Sequence, residues 1–324
     1  MPELPEVETI ARQLQAGLAG RSFGRVLHVR SDMVHGANRP LGELLPGLRV
    51  RCVRRRAKRV IFELSGCAAE MIVHLGMTGR LLICPCEDPV EKHTHLRVAV
   101  RDSGLELRFR DPRRFGGIWW SAPSLPGESR TLTRADSSKA KQLEGRRAPA
   151  ARRTSSGKRG KALGPLGPEP LELSADAFAK LLDRNRQIKA LLMDQTAIAG
   201  LGNIYCDEAL FAAGLHPLSL SCDLPLEQAR RLLRAIKSTL RRAIRHQGST
   251  FMDYRSPDGR PGGFQRFHRV YGREDLPCRA CGSTIARTQV AGRSTFVCPT
   301  CQPKPRPRRS ALRRPIPAST LVRP

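Results

Sequence analysis

The sequence predicts an α+β protein built in three successive parts, and three observations set that order. An apolar stripe of helical period opens the chain. Short strand-like runs bounded by turn residues follow it. After a basic stretch the helical period returns, and the chain then closes on two cysteine pairs.

The first helix is read from Val7, Ile10, Ala11, Leu14 and Leu18, spaced i, i+3, i+4, i+7 and i+11 and ending near Gly17 and Gly20. Strands are expected at 25–29, 49–53, 60–64, 71–75, 96–101, 105–110 and 117–120, with turn signals such as Ser103-Gly104 and Asp111-Pro112 between them. One helix followed by many short strands predicts a β-sandwich or flattened barrel. Beyond the basic stretch, helices are expected at 175–183, 188–193, 204–212 and 226–245. This divides the chain into an N-terminal β domain (1–127), a basic disordered linker (128–163), a helical domain (164–265), a cysteine module (266–302) and a disordered Pro/Arg-rich tail (303–324).

Charge decides the partner class. The chain of 324 residues carries 57 Lys and Arg against 29 Asp and Glu, a formal net charge of +28. Residues 128–163 contribute +8 and the tail from Gln302 another +7, which leaves +13 on the other 265 residues. The part expected to fold is therefore basic by itself, and nucleic acid is the expected polyanion. No run approaches the roughly 18 apolar residues of a membrane span. The opening Met1-Pro2-Glu3-Leu4-Pro5-Glu6 is acidic and lacks the apolar core of an export signal, so a cytoplasmic protein that does not meet a membrane is expected.

In that compartment ten cysteines point to metal or free thiols, not disulfides. Cys278-x2-Cys281 and Cys298-x2-Cys301, 16 residues apart, have zinc-ribbon spacing. Four thiolates close the tetrahedron, so one Zn2+ in a structural role is expected. The chain between the pairs can form a hairpin with Ala291-Gly292-Arg293 at its tip, where Arg293 reads either as a phosphate contact or as an ordinary solvated arginine.

Proline at position 2 permits removal of Met1, which would leave a secondary amine at the chain start. An α-amino group titrates near pH 8, so a fraction is neutral and nucleophilic at neutral pH. Attack of that amine on a sugar C1′ gives an iminium ion, an electron sink. Glu3 and Glu6 are candidate proton donors and acceptors beside it. They also read as helix-dipole partners in a first turn.

Several segments together resemble the bacterial formamidopyrimidine-DNA glycosylases: Pro2-Glu3-Leu4-Pro5-Glu6-Val7-Glu8-Thr9, Arg55-Arg56-Ala57-Lys58, His74-Leu75-Gly76-Met77-Thr78-Gly79, Asp111-Pro112-Arg113-Arg114-Phe115-Gly116, Gly200-Leu201-Gly202-Asn203-Ile204-Tyr205 and Gly292-Arg293-Ser294-Thr295-Phe296. The resemblance runs in order over about 2–121 and 164–302. For fold it implies an N-terminal β-sandwich with a flanking helix, a helical domain with a helix–two-turn–helix element, and a C-terminal zinc finger. For activity it implies a monomeric base-excision enzyme that removes oxidised purines from double-stranded DNA and nicks the abasic site.

Carried over by position, Pro2 resembles the Schiff-base nucleophile and Glu3 the acid for base departure and ring opening. Lys58 resembles the lysine of β-elimination, and Arg293 the finger arginine of δ-elimination. Met77, Arg113 and Phe115 match the residues that fill the gap left by a flipped nucleotide, whereas on residue type alone Met77 and Phe115 read as core. His93, Arg184 and Lys189 sit where the family binds DNA. Asn203 reads as an N-cap, and by resemblance as a phosphate contact. Ser256–His268 occupies the position of the loop that covers the damaged base. Two other readings stand beside this one. Endonuclease VIII-like enzymes share the chemistry but favour oxidised pyrimidines; Leu4 and the full Met77, Arg113, Phe115 set favour the purine branch. A non-catalytic zinc-ribbon DNA-binding protein explains the charge and cysteines but not Pro2-Glu3 and Lys58.

Overall fold

The computed structural model describes residues 2–66, 69–121, 163–250 and 254–305. The expected basic linker lies outside the described residues except for its last position, and so does the tail beyond Pro305.

Helix α1 (Leu4–Leu18) forms where Pro5 suits a first helical turn and the 3.6-residue stripe runs unbroken. Nine strands follow: β1 (Phe23–Val29), β2 (Val34–His35), β3 (Arg49–Arg56), β4 (Arg59–Ser65), β5 (Glu70–His74), β6 (Arg80–Pro85), β7 (Thr94–Val100), β8 (Leu105–Arg110) and β9 (Gly117–Ser121), with a single turn of helix, α2 (Leu41–Leu44), before β3. They form a five-stranded sheet in the order β2-β9-β5-β4-β3 and a four-stranded sheet in the order β1-β7-β8-β6. One apolar cluster holds residues of both sheets together with Val7, Ile10, Leu14 and Leu18 of α1. The two sheets are thus a sandwich, as expected. Strand β6 was not among the expected ones. It is an edge strand with only Leu81 fully buried, and it ends at Pro85, which an edge tolerates.

The second core is helical: α3 (Ala175–Leu182), α4 (Ile188–Met193), α5 (Asn203–Ala212) and α6 (Leu226–Arg245). Ser174 caps α3 by accepting from the Ala177 N–H at 3.1 Å. The 20-residue α6 buries Ala229, Leu232, Leu233, Ile236, Leu240 and Ala243 on one face. Among the described residues no helix is long and apolar enough to cross a membrane.

A hairpin, β10 (Ala286–Val290) and β11 (Arg293–Val297), is the last pair of strands among the described residues, with Val290 opposite Arg293. The connection is therefore the two residues Ala291-Gly292, both at positive φ, as tight hairpin turns require. Arg293 is exposed, but it is the first residue of β11 and not part of the tip.

The two cores meet at the chain start. Leu4 packs in the helical cluster while Val7, one turn on, packs in the sandwich. The Leu4 N–H donates to Gly200 O at 3.1 Å. Residues 2 and 3 are thereby held at the seam between the domains, and both are buried.

Candidate active site

Glu3 is 2% exposed, and its carboxylate sits on the N-terminus of α5. Oε1 accepts from the Ile204 N–H at 3.0 Å and Oε2 from the Tyr205 N–H at 3.4 Å. The first N–H groups of a helix lack intrahelical acceptors and carry partial positive charge, so an anion is stabilised there. This overturns the N-cap reading of Asn203. The cap position is Gly202, and the capping group arrives from the other domain. Asn203 is the first helical residue, and its Nδ2 donates to Ser294 O of the finger at 2.8 Å. Gly202 is required by the approach itself, because a Cβ there would lie 2.8 Å from Glu3 Cγ and nearer still to the carboxyl group.

Glu6 lies beside Glu3 and is 1% exposed. Its Oε2 accepts from the Glu3 N–H at 2.8 Å and its Oε1 from the Ser249 N–H at 2.7 Å. It also makes a short hydrogen bond with the Tyr205 hydroxyl. Burial, and then the charge of Glu3, push its pKa up to about 7, against the pull of those three hydrogen bonds. Gly248, at φ +77°, brings the Ser249 N–H in; a Cβ there would stand 2.6 Å from Glu6 Oε1.

Lys58 lies in the turn between β3 and β4 and is 8% exposed. Burial pushes its ammonium below the ordinary lysine value. The carboxylates of Glu3 and Glu6 oppose this, and Arg293 adds to it. Lys58 thus shares a field with three of the candidate residues. Its turn is anchored from across the seam by Glu169, which accepts from the Ala57 N–H and pairs with Arg55 and Arg56, each at 2.7 Å. Arg54 pairs with Glu63 and Glu70 at 2.6 and 2.7 Å. The basic run beside Lys58 is therefore largely an internal ion-pair network, not a solvated strand.

The four zinc cysteines converge, with all four sulfurs within 4.8 Å of one another. Two of the separations, Cys278–Cys301 at 4.0 Å and Cys281–Cys298 at 3.5 Å, bracket the spacing of about 3.8 Å expected for thiolates bound to one tetrahedral zinc. Cys298 Sγ accepts from the Cys301 N–H, and Cys278 Sγ from the Ala280 N–H, both at 3.4 Å, which favours thiolates. These residues hold one structural zinc ion.

Lys189 corrects the expectation of a DNA contact. It is fully buried, paired with Asp207 at 2.7 Å, and donates to Thr295 Oγ1 at 2.7 Å and Ser294 O at 3.2 Å. The Phe296 N–H donates to Asp207 at 3.0 Å. The Lys189–Asp207 pair therefore joins α4 and α5 to β11, and so carries the finger on the helical domain.

Met77, Arg113 and Phe115 are exposed together, Met77 by 37% and Phe115 by 45%, which rules out the core reading of the two apolar residues. The Arg113 guanidinium stacks 4.5 Å from the centre of the Phe115 ring. Fully buried Asp111 organises both loops, accepting from Thr78 Oγ1 at 2.6 Å and the Gly116 N–H at 2.8 Å. His93 and Arg184 are exposed.

Comparison with known proteins covers all three parts of the chain. Residues 1–118 match the formamidopyrimidine-DNA glycosylase N-terminal domain, 166–254 the H2TH domain of the same enzymes, and 275–304 the zinc finger found in FPG and IleRS. The formamidopyrimidine-DNA glycosylase of Herpetosiphon aurantiacus is 39% identical over 307 residues, spanning 93% of this chain and 100% of that one. The chain belongs to the formamidopyrimidine-DNA glycosylase family. The family's Thermus thermophilus enzyme is 42% identical over 310 residues, covering 93% and 98% of the two chains. The crystal structure of the MutM (Fpg) protein from Thermus thermophilus superposes with a TM-score of 0.72 at 40% identity, covering 93% and 98%. The Lactococcus lactis Fpg in complex with abasic-site DNA superposes at 0.74 with 30% identity, covering 93% and 100%.

Sequence reasoning about this family member missed Tyr205, Ser249, Asp111, Glu169 and Asp207. Tyr205 and Asp111 lie inside segments shared with the family, Gly200–Tyr205 and Asp111–Gly116, and the glycines beside Glu3 and Glu6 mark where side chains approach backbone. No local signal pointed to Glu169 or Asp207.

Proposed function

We propose that this protein is a DNA glycosylase and AP lyase that removes oxidised purines, 8-oxoguanine and formamidopyrimidines, from duplex DNA. The observation that carries the reading is the buried cluster at the chain start. Pro2 lies beside a carboxylate held on a helix N-terminus, with Lys58 facing that carboxylate and with Met77, Arg113 and Phe115 exposed as a wedge.

In this reading the neutral Pro2 amine attacks C1′. The glycosidic bond breaks, and its electron pair leaves with the base. Glu3 takes up the proton that the Pro2 nitrogen loses after attack and delivers it to the ring oxygen, the C1′–O4′ bond opens, and the nitrogen lone pair so freed forms the iminium, while the departing base takes a proton from water. The iminium draws electrons from C2′, so a C2′ proton is lost and the C3′–O bond breaks, releasing one phosphate end. Loss of a C4′ proton along the conjugated chain then breaks C5′–O, and water hydrolyses the iminium. Lys58, with its lowered affinity for a proton, fits the base of the first elimination. Arg293 fits a phosphate contact during the second. Arg113 faces the unpaired cytosine while Met77 and Phe115 fill the vacated stack. Zinc, with a closed set of thiolates, takes no part in the chemistry and holds β10 and β11 in place.

Sodium borohydride reduces the iminium to a stable amine, so a covalent protein–DNA adduct through Pro2 is expected on an 8-oxoguanine:cytosine duplex. Absence of an adduct on every oxidised base and on abasic DNA refutes the mechanism. A faster reaction on oxidised pyrimidines moves the substrate class to the endonuclease VIII type.

A further inference from the structure

Where α5 ends, a groove opens that no step above uses. Two cavities of about 330 and 320 Å³ adjoin there, sharing Arg242, Phe267 and Arg269 as walls. Arg231 and Arg234 of α6 line one end, and Arg279, between the zinc cysteines Cys278 and Cys281, lines the other. Arg242 is half-buried and the other four arginines are exposed. Among the described residues none of the five is in an ion pair, although the neighbouring Arg230 pairs with Glu227 at 2.7 Å. The carboxylate in the wall, Glu208, is 4% exposed and is met by backbone, accepting from the N–H groups of Arg269, Val270 and Tyr271 at 2.9–3.0 Å.

We propose that this groove is a second DNA-binding surface, which takes the sugar-phosphate backbone of another duplex while a first duplex occupies the active site. The inference goes beyond the functional reading above and takes from it that the first duplex lies at Glu3 and Arg293.

Position separates the groove from the active site. Glu3 sits at the N-terminus of α5, whereas Phe211 and Ala212, at the other end of that helix, line the groove. The ten residues of α5 set these ends about 15 Å apart. The finger repeats the arrangement. Arg293 starts β11, and Cys298 of the zinc cluster follows its last residue, about 16 Å further along the strand. A duplex on the near ends of both elements leaves the arginines at the far ends open.

Chemistry selects the occupant. From Arg231 to Arg242, α6 advances about 16 Å, over which one strand of a duplex presents about five phosphates. Guanidinium forks take phosphate oxygens in pairs. The rings of the groove support those forks. Arg242 stacks 4.5 Å from the centre of the Phe267 ring, which also lies 4.3 Å from the ring of His246, and Arg269 lies 5.9 Å from the Phe211 ring. A single strand is held by aromatic faces left open for its bases, and these faces are engaged, so a duplex backbone fits better. A duplex is favoured over an acidic protein segment because DNA is the polyanion at high local concentration around an enzyme already bound to it. An enzyme that grips a second duplex before it releases the first passes between DNA segments without entering free solution.

The test holds the zinc-loaded full chain on a bead-tethered duplex containing a tetrahydrofuran abasic analogue, then adds a labelled undamaged duplex and measures its retention. The analogue forms no Schiff base, so retention is read whether or not Pro2 reacts, and borohydride trapping reports on Pro2 separately. Wild type is expected to retain the labelled duplex. Arg231→Glu/Arg234→Glu is expected to weaken retention by about tenfold, with affinity for the tethered duplex and single-turnover excision unchanged. Arg231→Ala/Arg234→Ala is expected to lower the salt slope of retention by about two, and carries the test if the glutamate pair fails to fold. Arg231→Lys/Arg234→Lys, which keeps the charge, is expected to stay within about twofold of wild type. No retention by wild type, or equal retention by the glutamate pair, overturns the proposal. So does a glutamate pair that loses the tethered duplex equally, which places these arginines in the active-site cleft. Tighter retention of a labelled single strand, or of a labelled polyglutamate peptide, than of the duplex also overturns it.

Discussion

Gly202→Ala tests the catalytic assignment without touching any group that carries out chemistry. The added methyl would stand 2.8 Å from Glu3 Cγ, and closer to the carboxyl group, where ordinary contact begins at 3.4 Å. Glu3 must therefore retreat by more than half an ångström at Cγ, and by on the order of 1 Å at the oxygens that Ile204 and Tyr205 hold. Displacement of a catalytic group by about 1 Å costs on the order of 100-fold in rate. Gly202 has φ −135°, which alanine adopts freely, so no backbone strain confuses the result. The assay is single-turnover excision on an 8-oxoguanine:cytosine duplex, with nicking of a preformed abasic duplex run in parallel. Excision is expected to fall by about 100-fold, while nicking, which no longer needs base departure, falls less. Excision at the wild-type rate refutes the placement of Glu3 as the acid; equal loss in both reactions shows general damage to the pocket.

Four other outcomes follow from the geometry. Lys189→Met leaves Asp207 as an uncompensated buried charge and is expected to cost about 3–5 kcal/mol in urea unfolding; the salt dependence of DNA binding should keep its slope, whereas Arg184→Ala should lower that slope by about one. Asp111→Ala strands the Gly116 N–H and the Thr78 hydroxyl and should cost about 1–3 kcal/mol, while Arg113→Ala, exposed, stays within about 0.5 kcal/mol yet loses excision. Cys298→Ser should abolish zinc retention, measured by metal analysis, and with it tight DNA binding; retained affinity without metal counts against the finger. Glu6, at about 7 in the fold against an ordinary 4.5, binds its proton more tightly folded than unfolded, so it stabilises fully below pH 4.5 and loses that contribution as pH rises through 7. Between those limits wild type should therefore lose urea stability relative to Glu6→Gln, and a pH-independent difference would contradict the buried acid.

What the sequence showed plainly were features carried by short-range pattern. The stripe of α1, seven of the nine strands, four helices and the cysteine hairpin each state their period within a dozen residues. The two strands it did not show, β2 and β6, have two residues or lie at an edge with mixed burial, so neither presents an alternating face. Side-chain destinations were less legible. Lys189 reads as a surface cation until Asp207 arrives 18 residues later to bury it. Met77 and Phe115 read as core because apolar residues usually are, and only the buried Asp111 turns their loops outward. Asn203 stands at a helix start, where its type is a good cap, yet the carboxylate that takes the place comes from residue 3.

The seam explains why the acids and the base of this site sit where they do. Burying two carboxylates and an ammonium is unfavourable by several kcal/mol per ion unless each is met by fixed dipoles or charges. No single element here could meet them all. Glu3 is satisfied by the α5 N-terminus, Glu6 by the loop after α6 and by Tyr205, and the Lys58 turn by Glu169, so each of these groups is met by an element of the opposite domain. The sandwich and the helical core each close their own apolar cluster, and α1 is shared, with Leu4 in one and Val7 in the other. Two residues before that helix, the chain start cannot move without unseating Leu4 from the helical core. In the proposed mechanism Pro2 is the nucleophile, and packing in both domains at once holds its backbone as firmly as a core residue's.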